Sequence, residues 1–197
     1  ERLVPYAELY DIRVGIEIHN PESPLSPLMK EYLAVIKKTK SQYLGFIPDF
    51  GCFAIAPNQA QWIKALEAGV SEEHLQQAAK MRYDGVPLKE AQANLVAQGA
   101  HPAIQTVLQG MYGFVQFKPK AELPRLLNEL KEILPYSFEL HGKFHYLGED
   151  LVEPSIPYKE ILAVVQDSDF SGYLICEYED ELYCGGTEFT KRQLQMV

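Results

Sequence analysis

Three carboxylates and one imidazole sit at matching places in this chain. Glu17 lies in IRVGIEIH (residues 12–19), Asp49 closes YLGFIPD (43–49), His141 lies in SFELHGKFHY (137–146), and Glu177 lies in GYLICEYE (172–179). Each segment alternates, or nearly alternates, apolar positions with polar or small ones, which is the period of a β-strand. Strand side chains point to opposite faces in turn, so polar residues of one parity share a face. By that rule Arg13, Gly15, Glu17 and His19 go together, as do Gly45, Ile47 and Asp49. Glu139, His141, Lys143 and His145 form a third set, and Tyr173, Ile175, Glu177 and Glu179 a fourth. Any one of these acids or histidines alone reads as a solvated group or a helix cap. Four converging from four strands would repel one another without a cation between them. Oxygen donors with one nitrogen suit Mn²⁺, with Mg²⁺ or Co²⁺ as alternatives, better than a structural zinc. Such an ion polarises a carbonyl or hydroxyl and acidifies the neighbouring C–H, and a side chain then removes the proton. His145, Glu179 and His19 are the candidate acid–base groups, and Lys143 is the candidate to stabilise an oxyanion.

The elements that must hold these residues follow from the remaining pattern. A Pro- and Ser-rich loop, NPESPLSP, follows the first strand. Leu28, Tyr32, Leu33, Val35 and Ile36 then mark an amphipathic helix. Residues 157–167 predict another helix, with Pro157 suited to its first turn. Strand and helix in alternation imply an α/β fold with a mostly parallel sheet and covering helices. In such barrels the chemistry sits at the C-terminal ends of the strands. One stretch breaks the rhythm: residues from about 58 to 118 read as helix after helix, with Gly69, Gly85, Gly99 and Gly110 near their ends and Ser71 at a capped start. We read it as a helical insertion after the second strand, within one domain over 1–197. The helix ELPRLLNELKEIL returns the chain to the third strand. Trp62, Ile63, Leu66, Met111, Tyr112 and Phe114 give the insertion more apolar surface than a free-standing solvated helix needs.

Composition narrows the function classes. The 197 residues are 47% hydrophobic and 23% charged, enough for a sizeable core, and the net charge is -9. An acidic balance argues against nucleic acid, which requires clustered Lys and Arg. No apolar run approaches the ~18 residues that span a bilayer, so no membrane partner is expected. Cys52, Cys176 and Cys184 show no C-x-x-C spacing and predict reduced thiols in a cytoplasmic protein. The first residue is Glu1 rather than Met, which we read as a processed or truncated start.

The runs GIEIHNP, GFIPDFG, HGKFHY, EPSIPYKEIL and GYLICEYE resemble the xylose-isomerase-like barrel superfamily of sugar-phosphate isomerases and epimerases. Within it, PDFG, HGKF and SIPY are similar to the catalytic alpha subunits of C-glycoside deglycosidases. The resemblance implies a (β/α) barrel and a divalent-metal site at Glu17, Asp49, His141 and Glu177. The third ligand falls on His141 or His145; the H-x-H-G-K-F form common in the family selects His141. Glu139 then stands where the family's first His would be. The implied activity is that of a metal-dependent sugar isomerase or epimerase, or cleavage of the bond between a 3-oxo sugar and its aglycone carbon. The alternative is a non-catalytic barrel subunit of a binding or assembly complex; a nuclease of the same superfamily would need more His ligands and a basic face. The resemblance also implies a small β-rich partner subunit. A full barrel has eight strands in ~250 residues, and this chain offers about four, the C-terminal half. A missing N-terminal half, a second copy or a partner is therefore expected at the first and last strands, whose edges would otherwise stand open. The acidic run Glu177, Glu179, Asp180 and Glu181 would partly protect the last edge.

Overall fold

The computed structural model describes residues 1–113, 115–179 and 186–196; Phe114, Asp180, Glu181 and Cys184 lie outside the described residues. In chain order the first elements are α1 (Val4–Leu9), β1 (Val14–Ile18), α2 (Pro27–Thr39) and β2 (Leu44–Pro48). Four helices follow: α3 (Gln59–Glu67), α4 (Glu72–Tyr83), α5 (Leu88–Ala97) and α6 (Ile104–Tyr112). The chain continues through α7 (Leu123–Ile133), β3 (Glu139–Phe144), α8 (Tyr158–Gln166), β4 (Tyr173–Tyr178) and α9 (Gly186–Met196). It divides into two compact units. Glu1–Phe53, Ala121–Lys143 and Pro157–Glu177 make the first, and Ala54–Lys120, Phe144–Ile156 and Tyr178–Val197 the second.

In the first unit the period-two segments form strands a residue or two shorter at each end than their patterns. β1 pairs with β2 in parallel, from Val14 opposite Leu44 to Ile18 opposite Pro48. β3 and β4 form a second parallel pair. Between β2 and β3 the ladder thins to two isolated parallel bridges, Phe46 with Ser137 and Asp49 with His141. β3 begins late because a 3₁₀ turn over Leu134–Tyr136 prolongs α7, and the Ser137 hydroxyl donates to the Ile133 carbonyl at 3.0 Å. Leu123, Leu126, Leu130 and Ile133 recur at helical spacing and are all buried on one face of α7. Met29, Leu33 and Ile36 do the same on α2, and Ile18, Phe46 and Leu140 fill the sheet side. Each such side chain stabilises the fold by about 1.5–3 kcal/mol relative to exposure.

Close approach at β2 depends on a missing side chain. A Cβ on Gly45 would lie 2.6 Å from the Tyr136 carbonyl oxygen and 2.8 Å from the Phe138 ring. Backbone cannot yield there as a flexible side chain would. Gly45→Ala is expected to lower stability by about 1–3 kcal/mol through overpacking, seen as a drop in the urea midpoint. An unchanged midpoint would show that β2 can move away from Tyr136 at no cost.

The second unit is mainly helical. The Asn58 side chain caps α3 by accepting from the Gln61 N–H at 3.0 Å, and Ser71 caps α4 by accepting from the His74 N–H at 3.2 Å. After α3, α4 and α5 the chain turns through Gly69, Gly85 and Gly99, whose φ values of 96°, 75° and 74° favour glycine. Gly110 serves differently: it is still helical in α6, and a Cβ there would meet the Gln61 side chain at 2.2 Å. Leu75, Leu95 and Leu108 are buried from α4, α5 and α6. In the segment 144–156 the buried Glu153 carboxylate accepts the backbone N–H groups of His145, Tyr146 and Ser155 and the Ser155 hydroxyl. Four donors on one carboxylate fix that loop. Among the described residues no helix is long and apolar enough to cross a membrane.

Candidate metal centre

All four expected ligands belong to the first unit. Glu17 projects from β1, Asp49 follows β2 directly, His141 lies on β3 and Glu177 on β4. The bridge between Asp49 and His141 brings these two backbones together at one end of β2. His141 Nδ1 lies 2.9 Å from Glu17 Oε1 and 3.3 Å from Glu177 Oε2. One ligand atom from each of Glu17, His141 and Glu177 lies within 4.8 Å of the other two. Donors to one divalent ion sit about 2.0–2.6 Å from it, so they must lie within roughly 5 Å of one another; these three meet that condition. On the other side of the ring, His141 Nε2 faces Glu139 Oε1 at 3.8 Å. A carboxylate behind an imidazole orients the ring and leaves the opposite nitrogen to act as donor.

Asp49 is placed differently from the other three. Its Oδ1 accepts the Gly51 N–H at 2.7 Å, and its Oδ2 lies 3.0 Å from Lys143 Nζ. Lys143 Nζ also reaches Glu177 Oε1 at 3.2 Å. The ammonium thus bridges two carboxylates with 1% of its side chain exposed, and Asp49 is fully buried. In this structure the Lys143 charge, expected from the sequence to meet an oxyanion, is directed at Asp49 and Glu177. Strand parity correctly puts Lys143 on the His141 face, but parity says nothing about which tips meet.

The charges are incompletely matched. Asp49 Oδ2 and Glu177 Oε2 are buried and accept no hydrogen bond of ordinary geometry, despite their charged neighbours. A buried acceptor without a hydrogen bond costs about 1–3 kcal/mol, and more for a charged group. The Glu177 carboxyl is pushed above the usual carboxylate range, chiefly by burial and further by the Asp49 charge, while Lys143 and His141 oppose the shift. In the folded chain ionised Glu177 is therefore disfavoured, and added positive charge beside it would be stabilising. The donor set and its two unsatisfied oxygens fit a divalent cation.

The candidate acid–base groups are divided between the two units. His19 is in the first unit, its Nδ1 2.9 Å from the Asn20 carbonyl oxygen and its Nε2 3.5 Å from Asp49 Oδ2. His145 and Glu179 belong to the second unit, where His145 Nδ1 lies 3.1 Å from the Glu179 carbonyl oxygen. Two contributors escaped sequence reasoning. Asn20 donates its side-chain N–H to the Gly51 carbonyl at 3.0 Å, and Gly51 offers its own N–H to Asp49. The signal was present in PDFG: a glycine two residues after a buried acid lets backbone N–H approach the carboxylate.

Comparison with known proteins gives a consistent set of names. No family model matches the chain. It is 28% identical to the 3'-dehydrocarminate deglycosidase alpha subunit of Microbacterium sp, over 91% of this chain and 53% of that protein. It is 26% identical to a C-glycoside deglycosidase alpha subunit of Arthrobacter globiformis, over 92% of this chain and 51% of that protein. A C-glycoside deglycosidase alpha subunit of Microbacterium trichothecenolyticum is 25% identical over 91% and 50%. The chain spans about half the length of the curated relatives it matches.

Proposed function

We propose that this chain carries the metal-binding half of a C-glycoside deglycosidase alpha subunit, an enzyme that cleaves the bond between a 3-oxo sugar and its aglycone carbon. The observation that carries the reading is the cluster of Glu17, His141 and Glu177, with Asp49 and Glu177 retaining buried unsatisfied oxygens. The relatives' names supply the substrate class. The proposed fold is the C-terminal half of a (β/α) barrel of the xylose-isomerase-like type. The remainder, a second copy or a partner subunit would cover the open strands. Support for such a cover comes from exposed apolar side chains at Leu9, Tyr10 and Ile12, and at Tyr173 on β4.

A divalent ion held by Glu17, His141, Glu177 and Asp49 would polarise the sugar carbonyl and stabilise charge developing on its oxygen. Lys143 positions Asp49 and Glu177. His19, half-buried beside Asp49, would carry a proton for bound substrate. Loss of the C2 proton from a 3-oxo glycoside moves its electron pair into the C2–C3 bond and onto the carbonyl oxygen. Return of that pair forms the C1–C2 double bond and breaks the bond from C1 to the aglycone, whose carbon takes up a proton. Isomerisation of a free ketose begins with the same proton loss, but C1 then carries no leaving group.

The test is direct. With Mn²⁺ present, the assembly in which the open strands are covered is expected to release aglycone from a 3-oxo-C-glycoside, to leave free ketoses unchanged, and to lose activity at least a hundredfold when the chain carries His141→Ala. Ketose interconversion without aglycone release would move the assignment to an isomerase. Turnover of neither would favour a non-catalytic subunit.

A further inference from the structure

The buried ammonium of Lys143 stands inside the candidate metal centre, and the carboxylate oxygens around it are divided in a particular way. Glu177 turns Oε1 to Lys143 Nζ at 3.2 Å and Oε2 to His141 Nδ1 at 3.3 Å. Glu17 Oε1 lies 2.9 Å from that same Nδ1. Glu17, His141 and Glu177 thus offer donors to one ion, while the ammonium keeps the other Glu177 oxygen. Asp49 gives Oδ1 to the Gly51 N–H at 2.7 Å and Oδ2 to Lys143 Nζ at 3.0 Å. An ion and the ammonium can therefore share Glu177 without sharing an oxygen. The lysine is held from behind as well. The Tyr158 hydroxyl donates to the Lys143 carbonyl at 2.8 Å, and a Cβ on Gly51 would lie 3.5 Å from Lys143 Cγ.

We infer that Lys143 sets the charge selectivity of the centre, favouring divalent cations over trivalent ones. The inference rests on the proposed metal centre. The carboxylates of Glu17, Asp49 and Glu177 with one ammonium leave two negative charges, which a divalent cation neutralises and a trivalent one overshoots. Glu139 stands behind the His141 ring at 3.8 Å with about a third of its side chain exposed, so solvent screens it. The ammonium is 1% exposed, and where water is excluded its field is weakly screened. Repulsion between ammonium and ion grows in proportion to the ion's charge, so a trivalent ion loses more than a divalent one. A lysine that only held its two carboxylates in position would act in the opposite sense. Its loss would then loosen the donors and weaken the binding of every cation.

Equilibrium dialysis of the full chain measures Mn²⁺ affinity, and displacement of that Mn²⁺ by Tb³⁺ gives the Tb³⁺ affinity at the same centre. Each ion is compared with itself between chains, so ionic size cancels. Lys143→Met is expected to tighten Mn²⁺ about tenfold and Tb³⁺ about thirtyfold, the logarithms standing in proportion to the two charges. Lys143→Gln keeps a hydrogen-bond donor beside Asp49 and covers the case in which the methionine variant does not fold. It should shift both affinities in the same direction, again with the larger gain for Tb³⁺. Lys64→Met removes an exposed ammonium from α3 and should change neither affinity. Unchanged or weaker binding of both ions in the Lys143 variants would overturn the inference, as would an equal gain for the two ions or a matching gain in Lys64→Met. One Mn²⁺ per parent chain with no gain in either Lys143 variant would remove this inference and leave the metal centre standing. A parent chain that binds no Mn²⁺ would remove both.

Discussion

Mn²⁺ at a hundred times its Kd is expected to raise the thermal midpoint of the chain by roughly 5–10 °C, and Glu177→Gln is expected to abolish that rise. The size follows from linkage. A ligand that binds only the folded state at a hundredfold excess over Kd adds about 2.7 kcal/mol. For a chain of this length each kcal/mol shifts the midpoint by about 2–4 °C. The direction follows from the site: Glu177 is disfavoured as an anion by burial and by Asp49, and its Oε2 accepts no hydrogen bond. The pH dependence has a definite sign. With its folded pKa raised above the unfolded value, Glu177 contributes stability at low pH that is lost as pH rises through the folded pKa. The Mn²⁺-induced shift should therefore grow with pH from the acid side, since the ion replaces a proton. An equal shift in Glu177→Gln would move the ion elsewhere on the protein.

Lys143→Met should cost about 3–5 kcal/mol in the cation-free chain, because breaking a buried ion pair leaves charge uncompensated. Here two carboxylates lose their bridge at once, Asp49 at 3.0 Å and Glu177 at 3.2 Å from Nζ. Urea unfolding measures the loss. Saturating Mn²⁺ should recover more stability in the variant than in the parent chain, since it becomes the main positive charge beside both carboxylates. If the midpoint is unchanged, Lys143 does not hold the site; if Mn²⁺ stabilises both chains equally, the ammonium and the ion act independently.

What the sequence revealed depended on which physical rule was available. Alternation along a strand is strict, so Glu17, His141 and Glu177 could be placed on matching faces before any coordinates. The helix boundaries at Gly69, Gly85 and Gly99 were legible because positive φ favours glycine. Gly110 looked the same in sequence, yet it gives room to the Gln61 side chain rather than ending a helix; a stop glycine and a packing glycine differ only in their surroundings. The Lys143 bridge was invisible for a related reason. Periodicity assigns a face, but the meeting of an ammonium with Asp49 and Glu177 depends on register between strands and on side-chain reach. The division into two units was hidden too, because His145 and Glu179 share strand parity with the site yet cluster with the helical unit. Nor did periodicity give Glu153 a role, since its four donors lie within ten residues of it in a loop with no repeat.

Equilibrium dialysis of the chain against Mn²⁺, with metal counted per chain, tests the central claim most directly. The account predicts one ion per chain in the parent protein and in His145→Ala, and none in His141→Ala or Glu177→Gln at the same free Mn²⁺. One ion per chain retained in His141→Ala, or lost in His145→Ala alone, would contradict it.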